Sequence, residues 1–479
     1  MRNITTILIL FSWLNGKTQP PNSFFSRFGG SGIDIGYGVK ETFNRQYITI
    51  GSTTSFGNGF TDAYLCLFDS MGQRTWGKTF GGVMADVGKN VIVSPSDSGF
   101  VFTGYTASFG NGGYDFYIVR TDKDGGLIWQ TSYGGLDWDF GSDLVFSQDG
   151  NIIACGSAFS NTYGKKDGKI IKIDFNNGNL IWEKVYGGQE DDEFLKIKKT
   201  SDGYYSLCGN TKSYGDLNND FWLFKINIQG DSVVSKSFGN SNRGEKCYDF
   251  IEDNQNNLVF CGSFDTSFYN SGKNISYVIK TSLTGTFIQD SKISYPGMKD
   301  DKFHSVACLK NGDRYFFSRK VDHDGFQVDI QPLLLDKDFI YVGATTYGDV
   351  RDDEAFSVIN TSDNGFVMIG YSTDNGSEVE EVCLIKVDST AVIAPSIVGI
   401  RKDQMKVVDK SIYYYNETVY FSNMEQKEID YQIFDSGGKI VQQGKTNHDF
   451  IFVGDALTDG IYFVTVGRSR KIKFLKNSE

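Results

Sequence analysis

One unit of about fifty residues returns seven times along the chain, and a repeat of that length limits the possible folds more than any other feature. Its signature is an aromatic residue followed by Gly-Gly, at Phe28, Phe80, Tyr133 and Tyr186, weakening to Phe238-Gly-Asn, Tyr295-Pro-Gly and Tyr347-Gly-Asp. An acidic residue follows in every copy: Asp34, Asp86, Asp139, Asp192, Glu245, Asp301 and Asp353. Successive acids stand 52, 53, 53, 53, 56 and 52 residues apart. Five positions after each comes a hydrophobe: Val39, Val91, Leu144, Ile197, Phe250, Val306 and Val358. A strand-like run then ends in Gly51, Gly104, Gly156, Gly209, Gly262 and Gly370, with Ser318 aligned there in the sixth copy.

The second copy displays the unit. Val87–Ser94, Phe100–Thr106, Asp115–Thr121 and Leu127–Tyr133 read as strands, rich in β-branched and aromatic residues and bounded by Gly, Asp and Asn turns. Four short antiparallel strands per unit make a propeller blade. Composition agrees: 55 glycines, 15% aromatics and only 6 prolines in 479 residues suit many short strands with tight turns, and argue against a helical bundle or a disordered chain. The seventh copy stops after its third strand, Val382–Asp388, while Phe24-Phe-Ser-Arg-Phe-Gly-Gly30 is a fourth-strand sequence with no blade of its own. Pairing the two closes the ring and covers an exposed edge. The expected fold is all-β: a seven-bladed β-propeller over 19–393, its last blade closed by the N-terminal strand, followed by a small antiparallel β-sandwich over 394–479. The repeat resembles that of secreted bacterial propellers with Trp…Phe-Gly-Gly…Asp units, across residues 23–391.

The termini speak of export. Met1-Arg2-Asn3 precedes an apolar run, Ile4–Leu14, too short for a bilayer span, which takes about 20 residues. Gly16 and Thr18 permit cleavage before Gln19, so residues 1–18 read as a signal peptide, the alternative being a buried N-terminal strand. No later segment is apolar and long enough to span a membrane. Beyond Pro395 the chain changes character, with Tyr431-Gln-Ile-Phe-Asp-Ser-Gly-Gly-Lys439, Gly460-Ile-Tyr-Phe-Val464 and Lys471-Ile-Lys-Phe-Leu-Lys476. These motifs resemble the type A C-terminal sorting domain of the Bacteroidetes type IX secretion pathway, although Val398-Gly-Ile-Arg-Lys stands where that family opens with Tyr-Pro-Asn-Pro. The resemblance implies a β-sandwich, type IX machinery as a partner of residues 394–479, and a secreted or cell-surface, outer-membrane-associated destination.

Chemistry is harder to find. The net charge of −12 disfavours nucleic acid. The seven cysteines (66, 155, 208, 247, 261, 308 and 383) are odd in number, lack a CxxC and sit in apolar runs, which reads as buried thiols rather than disulfides or zinc. The seven acids lie in the loops between blades. Around a channel mouth they have the oxygen chemistry for a cation such as calcium; alternatively each accepts backbone N–H bonds and locks neighbouring blades. Extra acids at Glu190–Glu193, Asp300-Asp301 and Asp352–Glu354 raise the possibility of glycosidase acid–base work, against the simpler reading of solvated turns. Loop aromatics Phe56, Phe109, Tyr163 and Tyr214, with Phe268-Tyr269 in a later copy, suit stacking on a glycan or a protein, or plugging a gap between blades. Asp122-Lys-Asp-Gly and Asp322-His-Asp-Gly lack the spacing of calcium loops and read as hairpin turns. His304, His323 and His448 are the only histidines, and no nucleophile, zinc or phosphate motif occurs. The sequence therefore points to an exported, non-catalytic binding module for an unidentified extracellular glycan or protein, with no cofactor assigned. The alternatives are an exo-acting glycan-processing enzyme with carboxylates at the channel, and a structural envelope component.

Overall fold

A computed structural model describes residues 23–160, 162–215, 218–239, 243–266, 274–293, 300–310, 312–323, 327–347, 352–373 and 379–389, together with the C-terminal strands given below. The proposed signal segment, Tyr295, Phe268-Tyr269, Asp324-Gly325 and the linker around Pro395 lie outside the described residues. The chain divides into two compact units, Met1–Ser396 and Ile397–Glu479.

The first unit is a seven-bladed β-propeller, and the described residues contain no helix. Blade one runs Asp34–Glu41, Tyr47–Thr53, Asp62–Phe68 and Arg74–Phe80, hydrogen-bonded in chain order. Blade two runs Asp86–Val93, Phe100–Thr106, Asp115–Thr121 and Leu127–Tyr133, within a residue of the sequence reading. Blades three, four and five open at Asp139, Asp192 and Glu245 and repeat the pattern. Blade seven has Asp353–Asn360, Phe366–Thr373 and Glu380–Val387, and its fourth strand is Phe24–Phe28, paired antiparallel with Val382–Lys386. The ring closes as the sequence predicts.

In blades one, three and four the second and third strands are buried along their whole length, because neighbouring blades cover both faces of the sheet. The fourth strands of blades one to three are half-buried to exposed. The core accordingly lies between blades: Ile48, Ile50 and Leu65 of blade one pack with Val91, Phe100 and Phe102 of blade two.

Every first strand carries a β-bulge at the same place, as between Gly88 and Asn90. Near the end of the second strand, in every blade but the sixth, a glycine answers it. A Cβ on Gly104 would lie 1.8 Å from the carbonyl oxygen of Val87, and one on Gly370 equally close to that of Glu354, so in these blades only glycine fits opposite the bulge. In blade six the pairing Phe303↔Arg319 puts Arg319, not Ser318, at this position, a correction to the sequence alignment. That blade is irregular in other ways: its second strand extends to His323, pairs with an extra strand Gln327–Ile330, and leaves only Leu333–Asp336 and Tyr341–Ala344 as outer strands.

The second unit contains two antiparallel sheets. One joins Ile412–Tyr415, Thr418–Phe421 and Phe450–Phe452, and the other joins Ile429–Asp435, Ile440–Thr446, Gly460–Val466 and Ile472–Lys476. The segments singled out as sorting motifs form the central and outer strands of the larger sheet.

Candidate binding face and cleft

The seven acids of the repeat are all buried, each at the head of an inner strand or immediately before it. The backbone N–H of five of them clasps the preceding blade, Asp86 to Thr61, Asp139 to Tyr114, Asp192 to Lys166, Glu245 to Asn219 and Asp301 to Asn274, at 2.6–3.0 Å. The carboxylates turn back onto the glycine turn: Gly30, Gly82 and Gly188 donate to Asp34, Asp86 and Asp192 at 2.8 Å, and Gly135 to Asp139 at 2.9 Å. Hydroxyls of Thr53 and Ser55 also bond Asp34, those of Thr106 and Ser108 bond Asp86, and that of Thr211 bonds Asp192. Asp301 instead meets the Arg319 guanidinium at 2.5 Å, which accounts for the arginine at the glycine position. Glu245 and Asp353 hold the same place in blades five and seven. Among the described residues no group of three or more His, Cys, Asp or Glu side chains is placed to hold a metal ion.

A second set of acids escaped the sequence reading. Asp62, Asp115, Asp167 and Asp220 open the third strands of blades one to four and are buried. Their own recurrence, at intervals of 53, 52 and 53, was the available signal. Asn58 and Gly59 donate to Asp62, Asn111 to Asp115 and Tyr163 to Asp167. Burial pushes the carboxyls of Asp62, Asp115 and Asp167 above the ordinary range, and does the same to Asp139 against the pull of Lys169. Two carboxylates thus flank the first glycine of the signature. A Cβ on Gly134 would lie 1.5 Å from Asp115 Oδ1 and 2.9 Å from Asp139 Oδ2, and Gly187 is wedged likewise between Asp167 and Asp192.

The first strands carry aromatic, basic and acidic side chains at and after their bulges. Lys89 Nζ sits 3.6 Å over the Tyr37 ring, and His304 lies 5.4 Å from both Tyr248 and Phe356. Asn90 donates to Asp143, the Ser305 hydroxyl to Asp249 at 2.5 Å, and Lys198 pairs with Asp249 at 3.3 Å. Burial lowers Lys40 and Lys89 to about 8. The carboxylates of Asp143 and Asp249, in blades three and five, pull against that lowering at Lys40 of blade one, and Lys196 and Lys198 add to it. None of this was anticipated, since the bulge residues that supply it differ from blade to blade.

Most of the extra acids have basic partners, while Asp352 accepts from the Val328 N–H at 3.0 Å. Glu190 pairs with Lys165 and Glu193 with Lys166 at 2.6 Å, and Asp191 with Lys212 at 2.8 Å. Asp300 meets Lys302 at 3.6 Å. Glu354 meets His304 Nε2 at 2.6 Å and Lys320 at 3.7 Å. Burial pushes the Glu354 carboxyl up, but His304, Lys320 and Lys302 outweigh it and hold it at about 2.

Three of the loop aromatics rest on a ring of the third strand: Phe56 on Tyr64 at 5.5 Å, Phe109 on Tyr117 at 5.9 Å and Tyr214 on Trp222 at 5.7 Å. Tyr163 does not. The strand residue opposite Gly156 in blade three is Lys169, where Tyr64, Tyr117 and Trp222 stand opposite Gly51, Gly104 and Gly209. Lys169 reaches inward to Asp139 and Glu183 at 3.5 and 3.4 Å, and Tyr163 is left 74% exposed. It borders an open cleft of about 430 Å³ with Tyr186, Tyr214, Trp222 and Phe224.

Loops from the two ends of a blade share one face: Met84 N donates to Ser108 Oγ, Asp137 N to Ser160 Oγ and Glu190 N to Ser213 Oγ, each at 3.0 Å. On that face the loop tips break the sevenfold pattern. Those preceding blades one to three expose Ile33, Val83 (72%), Met84, Leu136 (89%) and Trp138 (51%). Those preceding blades four to seven carry Glu190, Asp191, Arg243, Asp300 and Asp352. Trp138 packs edge-on against Tyr114 and Phe159 at 6.0 and 6.4 Å, continuing the apolar arc toward Tyr163.

No protein-family profile and no curated protein matches the chain. Solved structures of similar fold include PorZ, a surface component of the type-IX secretion system of Porphyromonas gingivalis, at 13% identity and a TM-score of 0.42; the match covers 91% of this chain and 58% of that one. A fungal alcohol oxidase of the AA5 family in complex with copper aligns at 10% identity and a TM-score of 0.48, covering 96% and 100% of the two chains. The α-L-arabinofuranosidase Arb93A from Fusarium graminearum aligns at 9% and 0.46, covering 79% and 100%. These proteins differ in activity, and at such identities the likeness is one of propeller fold alone. Among the described residues no helix is long and apolar enough to cross a membrane.

Proposed function

We propose that this chain is an exported propeller that works outside the cell as a non-catalytic binding module. The observation that carries the reading is the contrast on one face: buried acids and glycines recur from blade to blade, while the loop tips above them do not. A ring must repeat its joints to close, but a surface that meets one ligand has no reason to be sevenfold. The arc from Ile33 to Tyr163 offers water the kind of apolar patch that marks interaction sites. Export is supported by the apolar run at residues 4–14 and by the tail at 394–479, which in this reading addresses the propeller to the type IX machinery and the cell surface. Against an acid–base enzyme stands the pairing of the extra carboxylates with lysines and His304, since a general acid or base must be free to exchange its proton with substrate.

The test has two arms. Deleting residues 394–479 should trap a folded propeller inside the envelope, and undiminished secretion would remove the sorting role. Labelled full-length protein should decorate the surface of the exporting cells, and Val83→Asp with Leu136→Asp should abolish this. Decoration that survives both substitutions moves the site off the arc, and release of sugars from envelope glycans would make the protein an enzyme.

A further inference from the structure

The cleft beside Tyr163 is where the molecule departs most usefully from its own repeat. In blades one, two and four the loop aromatic is spent on a neighbouring ring; here Lys169 stands in place of that ring and pairs with Asp139 and Glu183, and Tyr163 is left exposed. A volume of about 430 Å³ is in the range of small-ligand sites, roughly 300–1,000 Å³. The walls are set before any ligand arrives. Tyr214 donates its hydroxyl to the Gly187 carbonyl at 2.6 Å and Tyr186 to that of Gly230 at 2.5 Å, while Phe224 packs 4.6 Å from Tyr186. Rings already ordered lose little freedom on binding.

No lining residue carries a formal charge. The charged groups nearby are buried or paired: Asp192 accepts from the Gly188 N–H, Asp167 accepts from the Tyr163 N–H through one oxygen while its other oxygen is buried against Gly187, and Lys184 pairs with Asp231 at 2.9 Å. A cation would find aromatic faces without an exposed, unpaired counter-charge in the lining, and an anion would find only a lysine already held by Asp231. What the cleft does offer is the exposed rings of Tyr163 and Tyr214 over the buried Trp222 and Phe224, with hydroxyls from Tyr163, Ser232 and Ser235 in the lining. Trp222 Nε1 donates to Ser235 Oγ at 3.0 Å, which leaves the serine proton for a ligand oxygen. A neutral ring with a C–H face and a hydroxylated rim answers all of these features. We propose that the cleft between blades three and four binds a neutral pyranose unit of a glycan, stacked on Tyr163 and hydrogen-bonded by Ser235. The inference rests on the binding-module reading and gives it a ligand class.

The experiment titrates full-length protein with cellotetraose, maltotetraose and chitotetraose, following tryptophan fluorescence because Trp222 lies in the wall. At least one should bind saturably. Tyr163→Ala should weaken it about tenfold, the value of one aromatic stacking contact, with melting temperature unchanged because the ring is exposed. Tyr163→Phe should bind nearly as well as the parent, Ser235→Ala should bind less well, and tetramethylammonium should not compete. Binding of none of the three, or binding indifferent to Tyr163→Ala, overturns the inference, and competition by tetramethylammonium replaces the sugar with a cation. If no saccharide binds while labelled protein still decorates cells, the ligand class alone falls; if both fail, the binding-module reading falls with it.

Discussion

Two parts of one short loop, the stretch from Gly134 to Asp139, answer to different constraints. Gly134 is squeezed between the Asp115 and Asp139 carboxylates, Gly135 donates to Asp139, and Asp139 itself clasps blade two. Between them Leu136 and Trp138 stand in water. The first set recurs around the ring; the second does not. In a repeat protein, recurrence thus identifies what assembly requires, and departure from it identifies where selection for something else has acted. The distinction has energetic consequences, since joints should be costly to alter and tips nearly free.

The largest effect should come from the joint that closes the ring. Phe24–Phe28 pairs along its full length with blade seven and buries Phe24 against Tyr47. Removing it bares the edge of Val382–Lys386, and such edges recruit other strands. Aggregation and a large drop in melting temperature are expected; a truncated protein that melts like the parent would mean that the closing strand adds nothing. Next come the glycines between carboxylates. Gly134→Ala forces a methyl group against Asp115 and should cost at least about 1–3 kcal/mol, the usual penalty of overpacking. Gly343→Ala, with nothing within 4 Å of the new methyl group, should be close to neutral in the same calorimetric series.

How far the sequence could be read follows the same division. The blade count, the strand order and the closure were all legible because each is stated seven times, or once as a missing strand and once as a spare. The ring acids were visible too, and both the cation and the structural reading were weighed for them. Their partners Asp62, Asp115, Asp167 and Asp220 recur with the same period, but no common aromatic-Gly-Gly signature marks all four. The charges at Asp143, Lys196 and Asp249 could not be read at all, since they stand at corresponding bulges but differ in sign, and the matching residue of blade one is Gly38. Nor does sequence alone show that Lys169 frees Tyr163, since that depends on strand register.

A moderate effect should follow from the ring acids. Asp34→Asn and Asp192→Asn each replace a buried acceptor of several hydrogen bonds with a group that mispairs, costing on the order of 1–3 kcal/mol. The two lie in blades one and four, so their costs should add. A shared cation would make the second substitution cheaper than the first and would let a chelator lower the parent's melting temperature; additive costs with no chelator effect are expected.

Smaller still are the pH effects, which have opposite signs at two places. Asp167 has its folded pKa raised by burial, so its contribution to stability is complete below the ordinary Asp range and is lost as pH rises through the raised value. Glu354 is held at about 2, so its contribution is present above the ordinary Glu range and is lost as pH falls toward 2. Relative to the parent, Asp167→Asn should therefore gain stability as pH rises from about 4, whereas the penalty of Glu354→Gln should grow between about pH 2 and 5. Melting curves of the three proteins across that range check both signs, and parallel curves would show that neither group is perturbed.

The smallest change in stability should accompany the greatest change in behaviour. Val83 and Leu136 are 72% and 89% exposed and hold nothing in place. Their replacement by Asp leaves the glycine turns and both carboxylates of each joint untouched, so each should shift stability by no more than about 0.5 kcal/mol, as surface substitutions do. The same pair of substitutions puts two charges into the middle of the apolar arc, where a partner would have to desolvate them. Cell-surface decoration should vanish while the melting temperature stays put. The reverse result, unchanged decoration with a clearly lowered melting temperature, would mean that the tips brace the ring after all, and that breaking the repeat is in this molecule a structural device rather than a mark of binding.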